Sequence, residues 1–466
     1  MKIHNTLTRA KEKLVPLTAG EVGMYVCGVT AYDLSHIGHA RSAIVFDVMR
    51  RYLEVKGYRV TFVKNFTDVD DKIIRRANEE GVPAHELSER YIAAYREDMA
   101  ALGIRPADHE PKATEHIPEM IVLIERLLAG GFAYVVDGVV YFEVRRFSSY
   151  GRLSGRNLEE LLVGARVEVD ERKRDPRDFA LWKAAKPGEP SWDSPWGLGR
   201  PGWHIECSAM SMRYLGESFD IHGGGEDLIF PHHECEIAQS EAGTGRPFVR
   251  VWIHNGFVNL GAEKMSKSLG NILTVRELVK RHDPDALRLW LLGTHYRHPV
   301  EWSEDRVEES ARALERFTRL RHDVHRVPGG ASAAALLPDE LTEFRARFES
   351  AMDDDFNTPQ ALGALFDFGR VLAEYRARAE RDVSAAPAFS SGVGELVSLL
   401  RALGFFEHEQ TFSGPPAEVE RLVVERGAAR QRREWKRADV LRDEIHRLGW
   451  TVEDTPTGPR ILPRGK

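Results

Sequence analysis

The sequence has few cysteines and no long hydrophobic runs. There are three cysteines in 466 residues, Cys27, Cys207 and Cys235. An odd number at such wide spacing favours reduced thiols or metal ligands over a disulfide framework. No stretch reaches the roughly 20 apolar residues that span a bilayer, and residues 1–13 lack the apolar core of a secretory signal. We therefore expect a cytoplasmic protein without a membrane segment.

An excess of positive charge is also absent. The chain carries 65 basic and 72 acidic residues, a formal net charge of −7. Binding to nucleic acid would therefore depend on a local basic patch. The Gly-x-x-x-x-Gly-Lys-Ser/Thr loop is missing as well, which excludes nucleotide binding through that loop.

The composition is that of a soluble protein with several domains. Hydrophobic residues make up 42% and charged residues 29% of the chain, which is close to the globular average. The length predicts about two to four domains.

The first hundred residues predict a parallel crossover unit. Met24–Cys27 has the character of a buried strand, a helical apolar pattern begins near Ala40 and stops at Gly57, and Val60–Val63 supplies a second strand. In such units ligands bind at the carboxyl end of the first strand. We therefore expect the chemistry between residues 28 and 39.

Later segments predict how the domains are arranged. Further strands are predicted at Phe219–His222 and Val249–Ile253, helices predominate after about residue 305, and Gln410–Pro416 has the composition of a linker. The predicted parts are the first half of an α/β domain (1–114), an insertion (115–200), the second half (201–304), a helical bundle (305–409) and a C-terminal domain (417–466).

His36-Ile-Gly-His39 predicts an anion site. A helix amino end offers free N–H groups, Gly38 lets a ligand approach the backbone, and two imidazoles can donate to phosphate oxygens. The pattern is therefore suited to ATP. The alternative interpretation is a pair of capping or surface histidines.

Lys264-Met-Ser-Lys-Ser268 predicts a second phosphate contact. The ammonium groups of Lys264 and Lys267 can surround the phosphates of ATP and stabilise the charge that develops on departing pyrophosphate. The alternative is a solvated basic loop.

Four scattered residues predict a metal site. His232 and Glu236 are four apart, so on a helix they project from one face, and Cys27 at a strand end can converge with Cys207. Two thiolates, an imidazole and a carboxylate form a plausible zinc shell. The alternative is that each residue is structural. The neighbouring His233 and Cys235 are expected to point away from that face.

The C-terminal segment predicts an RNA contact. Residues 426–450 carry eight basic and four acidic side chains, with Trp435 among them. Basic groups hold a phosphate backbone while an aromatic ring stacks on an unpaired base. The alternative is a solvated helix whose tryptophan belongs to the core.

The motifs, their order and their spacing resemble one family. They are Val29–His39, Asp68–Lys72, Gly202–Met210, Asp220–Gly225, Phe230–Glu234 and Lys264–Ser268, followed by Met352–Thr358 and Arg430–Asp454. Over essentially its whole length the sequence resembles the cysteinyl-tRNA synthetases.

The resemblance implies a fold and a reaction. The fold would be α/β, with a Rossmann-like class I synthetase catalytic domain split by a connective insertion, then an α-helical bundle and a small anticodon-binding domain. Cysteine and ATP, with Mg²⁺, would form cysteinyl adenylate and pyrophosphate, and the cysteinyl group would pass to the 3′-terminal adenosine of tRNA(Cys). The protein would act in the cytoplasm as a monomer.

The resemblance also implies one zinc per subunit on Cys27, Cys207, His232 and Glu236. Apolar pockets discriminate poorly between near-isosteres such as serine and cysteine. Zinc prefers a thiolate, so coordination of the substrate sulfur would reject serine without an editing site.

The resemblance implies further roles for residues at positions that match the motifs of this family. The catalytic residues would be His36, His39, Lys264 and Lys267. ATP would contact His36, Gly38, His39, Asp227 and Lys267. The cysteine pocket would be lined by Gly28, Thr67, Trp203 and His222. The anticodon contacts would be Arg430, Trp435, Asp439 and Asp454.

Three rival interpretations remain at this point. A ligase that delivers cysteine to a small-molecule amine shares the catalytic part but lacks the C-terminal domain. A non-catalytic RNA-binding relative would bind ATP without turnover. A general nucleotidyltransferase of related fold would need no thiol-selective metal.

Overall fold

A computed structural model describes most of the chain. The described residues are 1–156, 170–260, 263–264, 273–324, 327, 337–408, 416–455 and 458–463. Lys267 and all but the last residue of the predicted linker Gln410–Pro416 lie outside them. The chain divides into two compact units. The first contains residues 1–275, 294–302 and 350–359, and the second contains residues 276–293, 303–349 and 360–466.

The described part of the chain contains short strands and longer helices. The strands are β1 (Lys2–Asn5), β2 (Ala10–Lys13), β3 (Glu21–Thr30), β4 (Arg59–Thr67), β5 (Ala133–Val136), β6 (Val139–Phe142), β7 (Phe179–Ala184), β8 (Gly199–Pro201), β9 (Phe219–Gly225), β10 (Val249–Asn255), β11 (Val258–Leu260), β12 (Glu263–Lys264), β13 (Val300–Glu301), β14 (Trp450–Thr455) and β15 (Gly458–Pro463). The helices are α1 (Ile37–Val55), α2 (Asp71–Glu80), α3 (Ala84–Ala101), α4 (Ile117–Ala129), α5 (Trp203–Leu215), α6 (Glu234–Thr244), α7 (Val275–Arg281), α8 (Pro284–Leu292), α9 (Glu304–Val324), α10 (Asp339–Asp353), α11 (Thr358–Ala379), α12 (Ala386–Ala402), α13 (Ala417–Gln431) and α14 (Trp435–Arg447).

A four-stranded parallel sheet organises the first unit. Its order is β10-β9-β3-β4, and every neighbouring pair is parallel. The crossover from β3 through α1 to β4 is the predicted one, and β9 and β10 contain the strands predicted at Phe219–His222 and Val249–Ile253. The carboxyl ends of all four strands therefore meet at one edge.

The sequence explains why α1 lies between β3 and β4. Buried Met24, Tyr25 and Val26 hold β3 inside the sheet. The side chain of His36 accepts a hydrogen bond from the backbone N–H of Gly38 and caps α1. Gly57 follows the helix with φ of 86°, a conformation that glycine adopts without strain. The chain then returns through β4.

The predicted insertion contains an antiparallel sheet of its own. Its order is β5-β6-β7-β8. A continuous apolar core joins residues of this sheet, such as Phe142 and Trp182, to residues of α4 and of α5. The chain thus enters α5 directly from β8, with Gly202 between them.

The second unit is mainly helical, as predicted after residue 305. Within the described residues, the segment Val383–Ala402 is long and apolar enough to cross a membrane, by length and composition only, so the expectation that no stretch approaches this limit was wrong. Phe389, Leu396 and Leu400 of α12 are nevertheless buried within the protein. A core helix has the same properties, so this segment is weak evidence for a membrane span. A compact group of α13, α14 and the β14–β15 hairpin has its own small core.

The segment Ser350–Pro359 belongs to the first unit although the chain around it belongs to the second. Asp355, which is fully buried, accepts hydrogen bonds from the backbone N–H of His4 at 2.8 Å, the hydroxyl of Tyr296 at 2.7 Å and Nε of Arg297 at 2.8 Å. These bonds satisfy the buried carboxylate and tie the segment to the first unit.

We expect Gly28→Ala to destabilise the first unit, whereas Gly23→Ala on the same strand serves as a matched control. A Cβ at Gly28 would overlap the backbone carbonyl oxygen of Asn65, which cannot rotate away, while a Cβ at Gly23 meets its nearest atom at an ordinary 3.4 Å. The expected loss for Gly28→Ala is about 1–3 kcal/mol, measured by urea denaturation. Equal denaturation midpoints for the two variants would contradict this account.

Candidate functional site

The carboxyl edge of the parallel sheet carries the predicted site. Gly28 follows Cys27 on β3, and its backbone N–H donates to Oδ1 of Asn65 on β4 at 2.9 Å. The β3–β4 register shifts between Val26 and Val29. This irregularity lies at Cys27 and Gly28, where the strand meets the other site residues.

The four predicted metal ligands converge at this edge. Cys27 comes from β3, Cys207 from α5, His232 from the turn before α6, and Glu236 from α6. One ligand atom from each lies within 4.8 Å of all the others. Sγ of Cys27 is 3.6 Å from Sγ of Cys207 and 3.6 Å from Oε1 of Glu236, and Nε2 of His232 is 3.0 Å from that same oxygen. Side chains from four separate elements thus form a single cluster.

Glu236 and His232 form an ion pair inside the cluster. Burial raises the pKa of Glu236, but His222 and His232 outweigh it and lower the pKa to about 2. Burial lowers the pKa of His232, but Glu236 and Cys207 raise it to about 10. One carboxylate therefore faces one imidazolium inside the protein.

The two thiols of the cluster differ in pKa. Burial and the hydrogen bond to Cys207 raise the pKa of Cys27 well above 9. At Cys207 burial acts in the same direction, but the hydrogen bond from Cys27 and the charge of His232 lower the pKa to about 6. A divalent cation would replace the protons of Cys27 and His232 without changing the net charge. Donor atoms and charge therefore both fit zinc.

A second set of ligands overlaps the first. Cys27, His222, His233 and Glu236 also bring one ligand atom each to within 4.8 Å of one another. Nε2 of His222 is 2.9 Å from Oε2 of Glu236, and Nε2 of His233 is 3.3 Å from Sγ of Cys27. The expectation that His233 points away from the ligands was therefore wrong. Regular α-helix begins only at Glu234, and His232 and His233 lie in the wider turn before it.

Cys235 lies outside both sets. Its Sγ is 3.2 Å from the hydroxyl of Tyr150, and burial raises its pKa. This thiol is buried and protonated, and its contacts are those of a core residue.

The predicted cysteine-pocket residues surround the cluster. The ring of Trp203 stacks on His232 with 4.2 Å between centroids, and Trp203 is 38% exposed. The hydroxyl of Thr67 donates to Oε2 of Glu206 at 2.9 Å. The ring of His222 stacks on Trp252 at 4.5 Å. An open aromatic face thus lies beside the buried cluster.

Sequence reasoning missed several residues at this edge. Burial and the neighbouring Cys207 raise the pKa of Glu206 well above 4.5, and Nδ1 of His204 lies 2.9 Å from Nδ1 of His232. Both residues belong to the motif Gly202–Met210, but their roles depend on contacts across helices. Spacing alone gives no signal for such contacts.

The predicted phosphate-binding histidines form the start of α1. The backbone N–H of His36 donates to Nδ1 of His39 at 3.2 Å, and the two rings stack with 3.8 Å between centroids. The backbone N–H of Ile37 donates to the carbonyl oxygen of Leu273 at 3.0 Å. Part of the alternative interpretation is therefore correct, because His36 is a capping residue.

The remaining predicted ATP residues are described only in part. Asp227 is exposed in the turn after β9. The backbone of Lys264 ends β12, paired with Asn259 of β11. Lys267 lies outside the described residues. The chain on both sides of residues 265–272 is thus held by backbone pairing, through β12 and through Leu273.

The predicted anticodon residues lie on α13, α14 and β14. Trp435 is 58% exposed, which excludes the alternative that it is a core residue. Asp454 accepts hydrogen bonds from Arg426 at 2.9 Å and from Arg430. Asp439 is 3.2 Å from Arg442. An exposed indole and an ion-paired carboxylate therefore belong to the same small group of elements.

Three family profiles match the chain in succession. The profile "tRNA synthetases class I (C) catalytic domain" matches residues 13–312. The profile "DALR domain" matches residues 347–407, and "Cysteinyl-tRNA ligase anticodon binding domain" matches residues 413–459.

Solved structures of low sequence identity share the fold. A Mycobacterium tuberculosis methionyl-tRNA synthetase in complex with methionyl-adenylate superposes with a TM-score of 0.63 at 16% identity, covering 82% of this chain and 90% of that one. An Agrobacterium radiobacter LeuRS–tRNA–LeuAMS complex gives a TM-score of 0.60 at 13% identity, with 84% of each chain covered. The expected class I synthetase fold, with its helical and anticodon-binding domains, is confirmed.

Curated relatives are much more similar in sequence. The "Cysteine--tRNA ligase" of Geobacter sulfurreducens is 53% identical over 477 residues, covering 98% of each chain. That of Caldicellulosiruptor saccharolyticus is 50% identical over 466 residues, covering 99% of each. The chain therefore belongs to the cysteine--tRNA ligase family of class I aminoacyl-tRNA synthetases.

Proposed function

We propose that this chain is a ligase that activates L-cysteine with ATP and transfers the cysteinyl group to the 3′-terminal adenosine of tRNA(Cys). The observation that carries the proposal is the cluster of half-buried Cys27 with buried Cys207, His232 and Glu236 at the carboxyl edge of the sheet. Parallel α/β sheets bind their ligands at that edge. A thiol-selective metal site there suits cysteine and distinguishes it from serine.

One zinc ion per subunit fits this cluster. Cys27, Cys207, His232 and Glu236 would hold it, and the bound ion would supply a thiol-selective ligand position for the substrate sulfur. His222 holds Glu236 through their 2.9 Å contact, so it keeps the carboxylate oriented toward the other ligands. No residue of the chain needs to form a covalent intermediate.

The residues around the cluster bind and orient cysteine. Gly28 follows Cys27 on β3, Trp203 offers an aromatic face, and Thr67 is fixed by Glu206. Burial raises the pKa of Glu206, which favours the neutral carboxyl and limits the negative charge beside the substrate sulfur. Alignment of this kind supplies a large part of the rate in reactions without a covalent enzyme intermediate.

ATP binds at the amino end of α1 and along the Lys264–Ser268 segment. Gly38 leaves room at the helix end for phosphate groups, and His36 and His39 donate to their oxygens. Lys264 and Lys267, with Mg²⁺, stabilise the negative charge on the departing pyrophosphate. Exposed Asp227 accepts hydrogen bonds from the ribose.

The C-terminal elements bind the anticodon. Trp435 stacks on an unpaired base, while Arg430, Asp439 and Asp454 contact base edges. Such a module distinguishes this enzyme from ligases that deliver cysteine to a small amine, and the similarity to curated cysteine--tRNA ligases does not favour a non-catalytic relative. The enzyme acts as a monomer in the cytoplasm.

Pyrophosphate exchange with cysteine and serine, before and after zinc removal, tests the proposed function. Zinc-dependent exchange with cysteine alone is expected, followed by charging of tRNA(Cys). Exchange without charging of any tRNA would instead indicate a small-molecule ligase, and no exchange would indicate an RNA-binding relative.

Cys207→Ser is expected to lose zinc and cysteine activation together, because the hydroxyl that replaces the thiol is a poor zinc ligand. Removal of a residue that only hydrogen-bonds to a metal ligand lowers metal affinity by roughly 10–100-fold. Loss of the ligand itself should lower zinc affinity by more than that. Zinc content and pyrophosphate exchange measure the two effects. Cys235→Ser is the matched control and should keep both. A Cys207→Ser enzyme that stays active without metal would refute the ligand assignment.

Trp435→Ala is expected to spare adenylate formation and weaken tRNA charging. Loss of one base stack costs about 1–3 kcal/mol of binding free energy, which should appear as a higher KM for tRNA. Val440→Ala removes another exposed apolar side chain from the same helix, at 59% exposure, and should leave charging unchanged. Unchanged charging by Trp435→Ala would argue against the stacking role.

A further inference from the structure

Arg41 is a fully buried arginine in the second turn of α1, directly after the predicted phosphate-binding histidines. Burial lowers the pKa of its guanidinium to about 10, so the group keeps its charge at neutral pH. Taking a charge out of water costs free energy, and an apolar side chain of similar volume is often tolerated as well or better at a buried position. A buried arginine therefore calls for a reason other than filling the core.

The guanidinium of Arg41 binds backbone carbonyl groups from two separate segments. Its Nε donates to the carbonyl oxygen of Gly256 at 3.0 Å. Its Nη2 donates to the carbonyl oxygen of His298 at 2.5 Å and lies 3.4 Å from the carbonyl oxygens of His295 and Tyr296. Arginine presents several donors in a planar, rigid fork. One side chain can therefore hold both segments at once.

The two segments lie directly before two strands of one small sheet. Gly256 is two residues before β11, and His298 is two residues before β13. The strand β11 pairs with β13 on one side and with β12 on the other. A Cβ at Gly256 would lie 2.8 Å from the carbonyl oxygen of His298, so the segments touch where the guanidinium spans them. Arg41 therefore fixes the base of this sheet against α1.

The same sheet carries a residue with a proposed role toward ATP. The backbone of Lys264 ends β12, where it pairs with Asn259 of β11. The proposed function lets ATP contact both this strand end and the amino end of α1, where His36 and His39 lie. The two ends are distant in the sequence, and all of these residues belong to the first unit. The contacts of Arg41 thus join the two elements that would hold ATP.

We propose that Arg41 is a positioning residue for adenylate formation, and that it sets the distance between the amino end of α1 and the strand that carries Lys264. The inference rests on the proposed function. Arg41 acts through the elements that it holds, since backbone carbonyls bind its guanidinium. A shift of either element would misplace the groups that stabilise charge on the departing pyrophosphate. A misplacement of about 1 Å can lower turnover about 100-fold.

Arg41→Met and Arg41→Lys test this role, because the first removes the fork and the charge and the second removes the fork alone. Cysteine-dependent pyrophosphate exchange is measured on the full chain, per mole of folded protein as judged by circular dichroism. Turnover of Arg41→Met is expected to fall about 100-fold. The KM for cysteine should stay that of the wild type, because Gly28 and Thr67 of the proposed cysteine pocket lie on β3 and β4.

Arg41→Lys should recover part of the turnover, because the ammonium group keeps the charge and can reach one of the two segments. If Arg41→Met fails to fold, Arg41→Lys carries the same expectation with a smaller loss of turnover. Wild-type turnover per mole of folded protein in the Arg41 variants would overturn the proposal. A raised KM for cysteine with unchanged turnover would overturn it as well.

A double-mutant cycle with Lys264→Ala separates positioning from a general structural role. If Arg41 acts by placing the strand that carries Lys264, its substitution should cost much less turnover in the Lys264→Ala enzyme than in the wild type, because coupled residues have non-additive effects. Equal losses in the two backgrounds would contradict the proposal.

Arg51→Met is the matched control. Arg51 is a second buried arginine of α1, about 15 Å further along the helix, and its Nε donates to Oδ2 of Asp47 at 2.9 Å. Its loss removes a partner of a buried carboxylate and should lower stability, while turnover per mole of folded protein stays that of the wild type. The same kinetic loss in Arg51→Met as in Arg41→Met would overturn the specific role of Arg41. Wild-type protein without cysteine-dependent exchange would instead refute the proposed function on which the inference rests.

Discussion

The catalytic unit depends on the arrangement of charge among half-buried Cys27 and the buried side chains of Cys207, His232 and Glu236. A carboxylate and a thiolate are tolerated in the interior only when positive charge lies between them, and His232 supplies it. Each of the four side chains comes from a different element. The sheet, α5 and α6 must therefore pack at fixed distances, and the polar cluster sets those distances.

Much of this arrangement could be predicted from local patterns. The β3-α1-β4 crossover follows from short apolar runs and from Gly57, and the place of Cys27 follows from the rule that parallel sheets bind ligands at the carboxyl ends of their strands. The pair His232 and Glu236 was suggested by its spacing of four residues. Cys207 lies within α5, so its approach to Cys27 depends on how that helix packs against the sheet.

What escaped prediction depends on contacts between distant elements. The position of His233 is set by a wide turn whose backbone departs from regular helix at Phe230. Glu206 gains its significance from burial beside Cys207. The roles proposed for Lys267 depend on residues outside the described structure, so there the sequence is the sole guide. In the C-terminal elements, Arg430 and Asp454 already pair with each other, so a nucleotide base that contacts either one must compete with this partner.

The path of the chain through Asp355 bears on how the protein is made. Residues 350–359 complete the first unit, and without Asp355 the backbone N–H of His4, the hydroxyl of Tyr296 and the guanidinium of Arg297 lose their shared acceptor. Domains fold during synthesis as their residues emerge from the ribosome. The catalytic unit, although it begins at the amino end, cannot close until α9 and α10 have left the exit tunnel. Shortening the gene after residue 304 would therefore yield an incomplete α/β unit, not a smaller enzyme.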